Sequence, residues 1–216
     1  FGFVSPVRGG RYRFSIEQTQ GTASFTTVIA DWRRYFAPTK NLTVGVRTVH
    51  YGRYGLSPEE STSDGFGMLR PLFLGYETFI RGYAYESFSA SECSPPGSNA
   101  GGSCMAFNRL QGQQLAVANI ELRIPLIGVE QYGLINFQFV PVELVAFADA
   151  GLAWDSDNPP VLAFSRSGYE RVPVFSTGIS ARANVLGFLI LEAYYAYPWQ
   201  RPQKGWHWGF NIAPGW

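Results

Sequence analysis

Polar and apolar residues alternate with a period of two through eight segments of this 216-residue chain. From Ala116 to Ile124, the even-numbered side chains are apolar, whereas Asn119, Glu121 and Arg123 lie between them. Successive side chains of a β-strand point to opposite faces, so each segment predicts a strand with one polar and one apolar face. The predicted strands are Arg8–Gln20, Phe25–Phe36, Leu42–Tyr51, Gln113–Pro125, Phe139–Trp154, Val174–Asn184, Phe188–Pro198 and Trp206–Ile212. No segment sustains the 3.6-residue period of a helix, so the sequence predicts an all-β protein.

The composition indicates that the apolar faces contact lipid. Charged residues make up 15% of the chain and aromatic residues 16%, and only Lys40 and Lys204 among the 17 basic residues are lysines. The polar faces carry six arginines and six acids, a balance expected of charges that neutralise one another in a confined interior. They are Arg11, Arg13, Arg33, Arg47, Arg123, Arg182, Glu17, Asp31, Glu121, Glu143, Asp149 and Glu192. The sequence therefore predicts an eight-stranded antiparallel transmembrane β-barrel with its polar faces inside.

This register assigns individual side chains to the two faces. Glu121, Asp149 and Arg182 are expected to face the interior. The residues expected to face lipid are Ala118, Leu122, Ala148, Leu152, Ile179 and Leu191. Aromatic residues at strand ends predict interfacial girdles, and they are Trp32, Tyr35, Phe36, Trp154, Tyr197, Trp199, Trp206 and Trp216.

The connections alternate between long and short, as they do in outer-membrane barrels. We treat residues 1–216 as a single barrel domain with one long extracellular loop at about 53–112. Within this loop, Cys93 and Cys104 lie in a stretch rich in Ser, Gly and Pro. The pair predicts a disulfide and an oxidising compartment, and the alternative is two free thiols.

The sequence predicts no enzyme activity. His50 and His207 are the only histidines, they lie in different predicted strands, and neither has a cysteine partner. Asp149 and Glu121 suit structural ion pairs with nearby arginines better than acid–base catalysis. We expect no cofactor and no metal site. The formal net charge of +1 gives no sign of a nucleic-acid partner.

The long loop contains Leu74-Gly75-Tyr76-Glu77-Thr78-Phe79-Ile80-Arg81-Gly82-Tyr83. Ile80, Arg81, Gly82 and Tyr83 resemble the VRGF/VRGY loop signature of the BamA/TamA superfamily of outer-membrane assembly factors, also called the bacterial surface antigen family. Segments similar to that family's strands follow in order at 115–123, 147–155 and 195–199. Phe210, Ile212 and Trp216 resemble its terminal signal. The resemblance covers about residues 71–216.

The resemblance implies a place and a function. The family's barrel has sixteen strands, and this chain corresponds to the C-terminal eight. The chain would then be a minimal eight-stranded relative, a subunit that pairs with a second barrel subunit, or part of a longer protein. The implied location is the bacterial outer membrane, in contact with lipid and lipopolysaccharide. The implied function is insertion and assembly of outer-membrane protein clients, or translocation, and the alternative is a structural anchor or small pore.

The family places the arginine loop inside its barrel, which suggests partners for Arg81. We expect Arg81 to bond to Asp149, Glu121 or both, near Arg123, Arg182 and Glu192. In the alternative, Arg81 lies at the surface and the two acids pair with Arg123 and Arg182. The narrow lumen of an eight-stranded barrel favours that alternative, because its own side chains fill it.

Overall fold

The computed structural model describes residues 6–21, 23–56, 69–93, 104–128, 133–136, 140–164, 170–185 and 189–214. Eight long strands dominate these residues, as the alternating sequence predicts. They are β1 (Gly9–Thr19), β2 (Phe25–Thr39), β3 (Leu42–Tyr54), β4 (Gln114–Gly128), β5 (Val142–Trp154), β6 (Val174–Val185), β7 (Leu189–Pro198) and β8 (His207–Pro214). The only helices among the described residues are single turns at Tyr85–Ser87, Ala90–Cys93 and Met105–Asn108.

The eight strands form one sheet in chain order, and each long strand is antiparallel to the next. A two-residue strand, Ile135–Asn136, adds a parallel pairing at the end of β4. Among the described residues, pairing ends at β1 on one side and at β8 on the other, so the sheet is open. Closure into a barrel therefore stays a prediction.

The strand boundaries differ from the prediction mainly at the ends. β3 continues to Tyr54, three residues beyond its predicted end, because Arg53 and Tyr54 pair with Thr27 and Thr26 of β2. β5 begins at Val142, and Phe139 lies outside the described residues. β8 continues through Pro214, which lies opposite Leu189. Proline is tolerated there because β8 is an edge strand of the described sheet.

The register assigns the side chains to two faces as predicted. The inner face carries most of the charged residues of the strands and is covered by part of the long β3–β4 connection, whereas the outer face is exposed. Ile120, Leu122 and Ile179 are about half exposed on the outer face, and Glu121 and Asp149 are buried on the inner face. Tyr35 corrects one prediction, because it shares the inner-face parity of Arg33, is buried, and lies against Arg123 instead of in an outer girdle.

Residues 69–93 and 104–112 of the β3–β4 connection are called the arginine loop here. They pack on the inner face and form the larger hydrophobic core with β3, β4, β5 and β6. Its buried residues are Val49, Phe73, Leu74, Ile80, Tyr83, Leu110, Leu115, Val117, Ala153 and Val174. A short pairing of Leu72–Phe73 with Gln111–Gly112 closes the base of the loop. Apolar burial therefore holds the loop against the sheet before any charge is considered.

Because consecutive strands run antiparallel, the connections alternate between two ends of the sheet. The β1–β2 turn, the arginine loop and the connections at 155–173 and 199–206 leave from the same end, which is called the loop end here. No described helix is both long and apolar enough to span a membrane.

Candidate functional site

The candidate site lies on the inner face, where Arg81 of the arginine loop meets charged side chains from four neighbouring strands. Cross-strand pairing gathers these residues: Asn119 lies opposite Asp149, and Arg182 lies between Glu143 and Glu192. Glu121 occupies the inner face of β4, two residues beyond Asn119. The period-two pattern of the sequence therefore places the acids on one surface, and the loop brings Arg81 to them.

Arg81 is buried, and its planar guanidinium forms two hydrogen bonds with the Asp149 carboxylate. Its Nε donates to Asp149 Oδ2 at 2.8 Å, and its Nη2 donates to Oδ1 at 2.8 Å. The Arg81 backbone N–H also donates to Oδ2, at 3.2 Å. Paired, charge-assisted bonds of this kind are among the strongest in proteins, so Asp149 fixes both the side chain and the backbone of Arg81.

The other side of the Arg81 guanidinium reaches two glutamates. Nη1 lies 3.0 Å from Glu121 Oε1 and 3.0 Å from Glu192 Oε1. The guanidinium carbon lies 3.6 Å from the centre of the Phe147 ring, which gives a close cation–π contact. The predicted bonds from Arg81 to Asp149 and Glu121 are both confirmed, and Glu192 is a third partner.

Glu121 also pairs with two arginines of the sheet. Arg123 Nε donates to its Oε2 at 2.9 Å, and Arg182 Nη1 donates to the same oxygen at 2.8 Å. The alternative that places Arg81 at the surface is wrong, because Arg81 is buried and Asp149 pairs with it. Only the pairing of Glu121 with Arg123 and Arg182 is confirmed from that alternative. The argument that a narrow lumen excludes the loop is wrong for the described sheet, because the sheet is open and the loop lies on its inner face.

These six groups are called the Arg81 network here: Arg81, Arg123, Arg182, Glu121, Asp149 and Glu192. The network contains three positive and three negative charges, so it is neutral as a unit. Ser180 Oγ donates to Glu192 at 2.6 Å, and Asn119 Nδ2 donates to Asp149 at 2.9 Å. A buried ionic cluster is tolerated only when its groups are paired in this way.

Two glycines allow the Ile80–Tyr83 motif to pack closely against the inner face of the sheet. Gly82 has φ +86°, a left-handed conformation that favours glycine, and a Cβ there would lie 3.1 Å from Ala196 Cβ. Gly151 leaves space for Ile80, because a Cβ at position 151 would clash with Ile80 Cδ1. Ile80 is fully buried in that space. The Ile-Arg-Gly of the loop and the Asp-Ala-Gly of β5 therefore fit each other by shape as well as by charge.

Tyr83 ends the motif with a buried hydroxyl. It donates to the backbone oxygen of Phe175 at 3.0 Å and lies 3.3 Å from Gln200 Oε1. Burial raises the pKa of the Tyr83 hydroxyl well above its ordinary value, so the group stays neutral and donates. Tyr83 thus connects the loop to β6 and to the β7–β8 connection.

A second buried arginine was not found from the sequence. Arg201 follows β7, and its Nε and Nη2 donate to the two oxygens of Glu92 at 2.9 and 2.6 Å. It also donates to Gly82 O at 3.0 Å, to Ser87 O at 2.6 Å and to Ser87 Oγ at 2.8 Å. Its guanidinium carbon lies 4.2 Å from the centre of the Phe88 ring. These five residues are called the Arg201 network here. Because Arg201 lies in a connection, alternation gives no signal for it.

Burial raises the pKa of the Glu92 carboxyl, but hydrogen bonds from Arg201 and from the Ser89 backbone outweigh burial and lower that pKa overall. The residue after Glu92 forms the Cys93–Cys104 disulfide, so the predicted disulfide is confirmed. The bridge joins the short helical turns on either side of the segment 94–103.

The remaining predicted site residues lie away from the network. Phe210 and Ile212 are exposed on the outer face of β8, with 57% and 58% of their surface accessible. Trp216 lies outside the described residues.

A model of the Omp85 superfamily domain matches residues 3–214 of the chain. The chain therefore belongs to the Omp85 superfamily, which confirms the family predicted from the arginine motif. A comparison with curated proteins finds no match. Members of this superfamily reside in the bacterial outer membrane and serve protein assembly and translocation there.

Proposed function

We propose that the chain forms part of the wall of an outer-membrane β-barrel, with its outer face in lipid. The support is the contrast between the two faces, because large apolar side chains cover the exposed face and most of the charged side chains of the strands lie on the other. The exposed apolar side chains of the outer face include Tyr12, Phe14, Ile16, Ile120, Leu122, Ile124, Leu144, Ile179, Phe210 and Ile212. An exposed apolar face of this size is costly in water and is favourable in hydrocarbon.

Aromatic stacking at the loop end supports the same placement. Tyr195 packs on Trp208 at 4.4 Å and on Trp206 at 4.8 Å between ring centres, and Tyr197 contacts Trp199 at 5.2 Å. Tyr and Trp are enriched where membrane meets water, because one side of the ring is apolar and the other carries a polar group. These rings would mark the outer boundary of the lipid, where lipopolysaccharide lies.

In this barrel the chain contributes to insertion and assembly of outer-membrane proteins, or to their translocation, and the partners are client proteins. The observation that carries the proposal is that Arg81, in the family's own loop motif, is buried and paired with carboxylates of three strands. A charged loop held this firmly against the inner face fixes the shape of the lumen beneath it. We infer that a fixed lumen supports the movement of client strands at the barrel wall.

A second candidate is a structural anchor or small pore that holds a partner or fused domain in the membrane. Its support is that the charges of the Arg81 network are satisfied within the chain, so the network needs no cargo. The arginine loop covers part of the inner face, which favours an anchor over an open pore.

Labelling of single cysteines tests the membrane placement. Cysteine at Ala118, Ala148 or Ile179 should react with a lipid-soluble maleimide, and cysteine at Glu121 or Asp149 should not. The opposite pattern would contradict the proposed orientation of the faces.

The function is tested in the producing bacterium by Arg81→Ala, with Arg70→Ala as the control, because Arg70 is an exposed arginine of the same loop. If the chain serves assembly, the levels of several outer-membrane barrels should fall in the Arg81 variant only. These levels are measured in isolated outer membranes. Unchanged barrel levels, together with loss of a partner from the membrane, would instead support the anchor.

A further inference from the structure

One residue breaks the apolar pattern of the outer face. Arg34 of β2 lies directly opposite Gly10 of β1 and Val46 of β3, and Val46 in turn lies opposite the outer-face residue Ile120. Among the described residues of the eight long strands, Arg34 is the only Asp, Glu, Lys or Arg on this face. A charged side chain within a membrane-spanning segment is rare and marks a candidate functional site.

Arg34 lies toward the end of the sheet opposite the loop end, which is called the turn end here. It is five residues before the end of β2 at Thr39 and nine residues after its start at Phe25. A charge on the lipid face costs most at the bilayer midplane and little near the interface, which a long arginine side chain can reach. The Arg34 guanidinium carbon lies 5.7 Å from the centre of the Phe36 ring, two residues closer to the turn. The side chain is therefore directed toward the membrane boundary at the turn end.

The neighbours of Arg34 form a shallow site around its guanidinium. A Cβ at Gly10 would lie 3.3 Å from Cδ and from Nη1 of Arg34, so the glycine leaves the space across which the arginine lies. Trp32 and Phe36 flank Arg34 on the same face, and both rings are nearly half exposed. The site thus combines one cation with two apolar rings.

The positive charge of this site is not neutralised by the described chain. No ion pair joins Arg34 to an acid within the part of the chain that the structure describes, and the Phe36 ring carries no charge. Two further cations lie at the turn end. Arg8 Nη2 donates to Ala37 O at 3.3 Å, and Lys40 lies in the β2–β3 turn. The turn end of β2 therefore attracts an anion.

We propose that Arg34, Trp32 and Phe36 bind an anionic phospholipid, with its phosphate on the Arg34 guanidinium and an acyl chain against the two rings. Arginine can bond phosphate through two parallel N–H groups. A zwitterionic head group carries its own cation and gains less from the site. The proposal rests on the proposed placement of the outer face in lipid. Short turns of outer-membrane barrels face the periplasm, so the lipid belongs to the periplasmic leaflet and not to the lipopolysaccharide at the loop end.

A second copy of this chain does not supply the anion through its own outer face. That face carries no acid among the described residues of the eight long strands. Contact between two outer faces would bring the two copies of Arg34 into an apolar interface without a carboxylate. Such an interface is unfavourable for both charges.

Fluorescence quenching by brominated lipids measures binding at the site. Val46→Cys places a single reactive thiol opposite Arg34, because Cys93 and Cys104 are bridged, and the thiol is labelled with bimane. The chain is reconstituted in phosphatidylcholine vesicles with a small fraction of brominated phosphatidylglycerol or, in parallel, of brominated phosphatidylcholine. Phosphatidylglycerol should associate about fivefold more tightly than phosphatidylcholine. The preference should weaken in high salt.

Substitutions in the labelled chain assign the preference to Arg34. Arg34→Gln should abolish it, whereas Arg34→Lys should retain part of it, because lysine keeps the charge and loses the fork. Arg11→Gln is the matched control: it removes the same charge from the inner face of the neighbouring strand and should leave the preference unchanged. Heat-modifiability should stay at the parent level in Arg34→Gln. A preference that survives Arg34→Gln, or that is lost in Arg11→Gln, would overturn the proposal.

A label at the loop end separates this proposal from the membrane placement. Leu152→Cys lies on the outer face of β5 near the loop end and should be quenched equally by both brominated lipids. Equal quenching by both lipids at Val46→Cys would overturn the lipid site and leave the membrane placement intact. The same preference at both labels would show a general attraction of anionic lipid and would also overturn the site. Quenching at neither label would contradict the membrane placement itself, and the site with it.

Discussion

Two of the buried arginines that hold the arginine loop, Arg81 and Arg201, do so in different ways. Arg81 extends from the loop to carboxylates on β4, β5 and β7. Arg201 extends from the β7–β8 connection to one carboxylate and two backbone oxygens, all within residues 82–92. Both are almost fully buried, both grip a carboxylate with two donors, and both lie over an aromatic ring.

The difference lies in what the partners are attached to. The acids around Arg81 belong to strands whose register is set by the whole sheet, so Arg81 fixes where the loop sits. The acceptors around Arg201 belong to one short segment of the loop, so Arg201 fixes the shape of that segment. Gly82 connects the two, because its carbonyl accepts from Arg201 and it follows Arg81 directly. The position of the loop on the sheet and the shape of residues 82–92 should therefore respond to different substitutions.

The largest effect is expected from Arg81→Ala. It leaves Asp149 and Glu192 short of a positive charge in a buried site, and it should lower the free energy of unfolding by about 3–5 kcal/mol. Arg81→Lys keeps the charge but loses the fork, so it should cost less. Urea unfolding in detergent and heat-modifiability on gels measure both variants. If the Arg81→Ala protein were as stable as the parent and its loop remained resistant to protease, the distinction between the two networks would be contradicted.

Arg201→Ala should act locally. Loss of its bonds should lower the free energy for opening residues 82–92 by about 3 kcal/mol and leave the unfolding of the sheet nearly unchanged. Hydrogen exchange by mass spectrometry reports the two regions separately. Lys204→Ala, an exposed cation of the same connection, is the matched control. Equal loss of protection in β4 and β5 would show that Arg201 also holds the sheet.

Removal of the disulfide should have a smaller local effect. Cys93→Ala/Cys104→Ala should destabilise the loop by about 2–3 kcal/mol in the chain-entropy account, because the bridge closes a short segment. Faster proteolysis within 82–112, with unchanged heat-modifiability, is the expected result. In the parent, intact mass should show two alkylated thiols only after reduction, and alkylation without reduction would contradict the bridge.

Acid should produce the smallest of these effects in the Arg201 network. The pKa of Glu92 is lowered from its ordinary value of 4.5, so its pairing stabilises the folded loop above that value. This stability is lost as the pH falls through the lowered pKa. Cleavage of the loop by an acid-active protease should therefore rise below about pH 4. Glu92→Gln should be cleaved faster than the parent at pH 6 and should show less of this rise.

The strands and the Arg81 site were accessible from sequence for the same reason. Alternation with period two identified the strands, and it also placed Glu121, Asp149 and Arg182 on one face. The arginine motif then supplied the loop residue that meets them. Arg201 and Glu92 lie in connections without periodicity, and their meeting depends on the fold of the loop, so no local pattern predicts it. The inner-face position of Tyr35 could have been predicted, because Tyr35 is an even number of residues from Asp31 and Arg33 in the same strand.

Central to this account is the claim that Arg81 holds the loop to the sheet through Asp149. A double-mutant cycle of Arg81→Ala and Asp149→Ala measures that contact by urea unfolding of the four proteins in detergent. Because the two side chains share two short hydrogen bonds, the account predicts a coupling free energy of about 2–3 kcal/mol. The same cycle with Arg70→Ala in place of Arg81→Ala should be additive. Additivity of Arg81→Ala with Asp149→Ala would contradict the account.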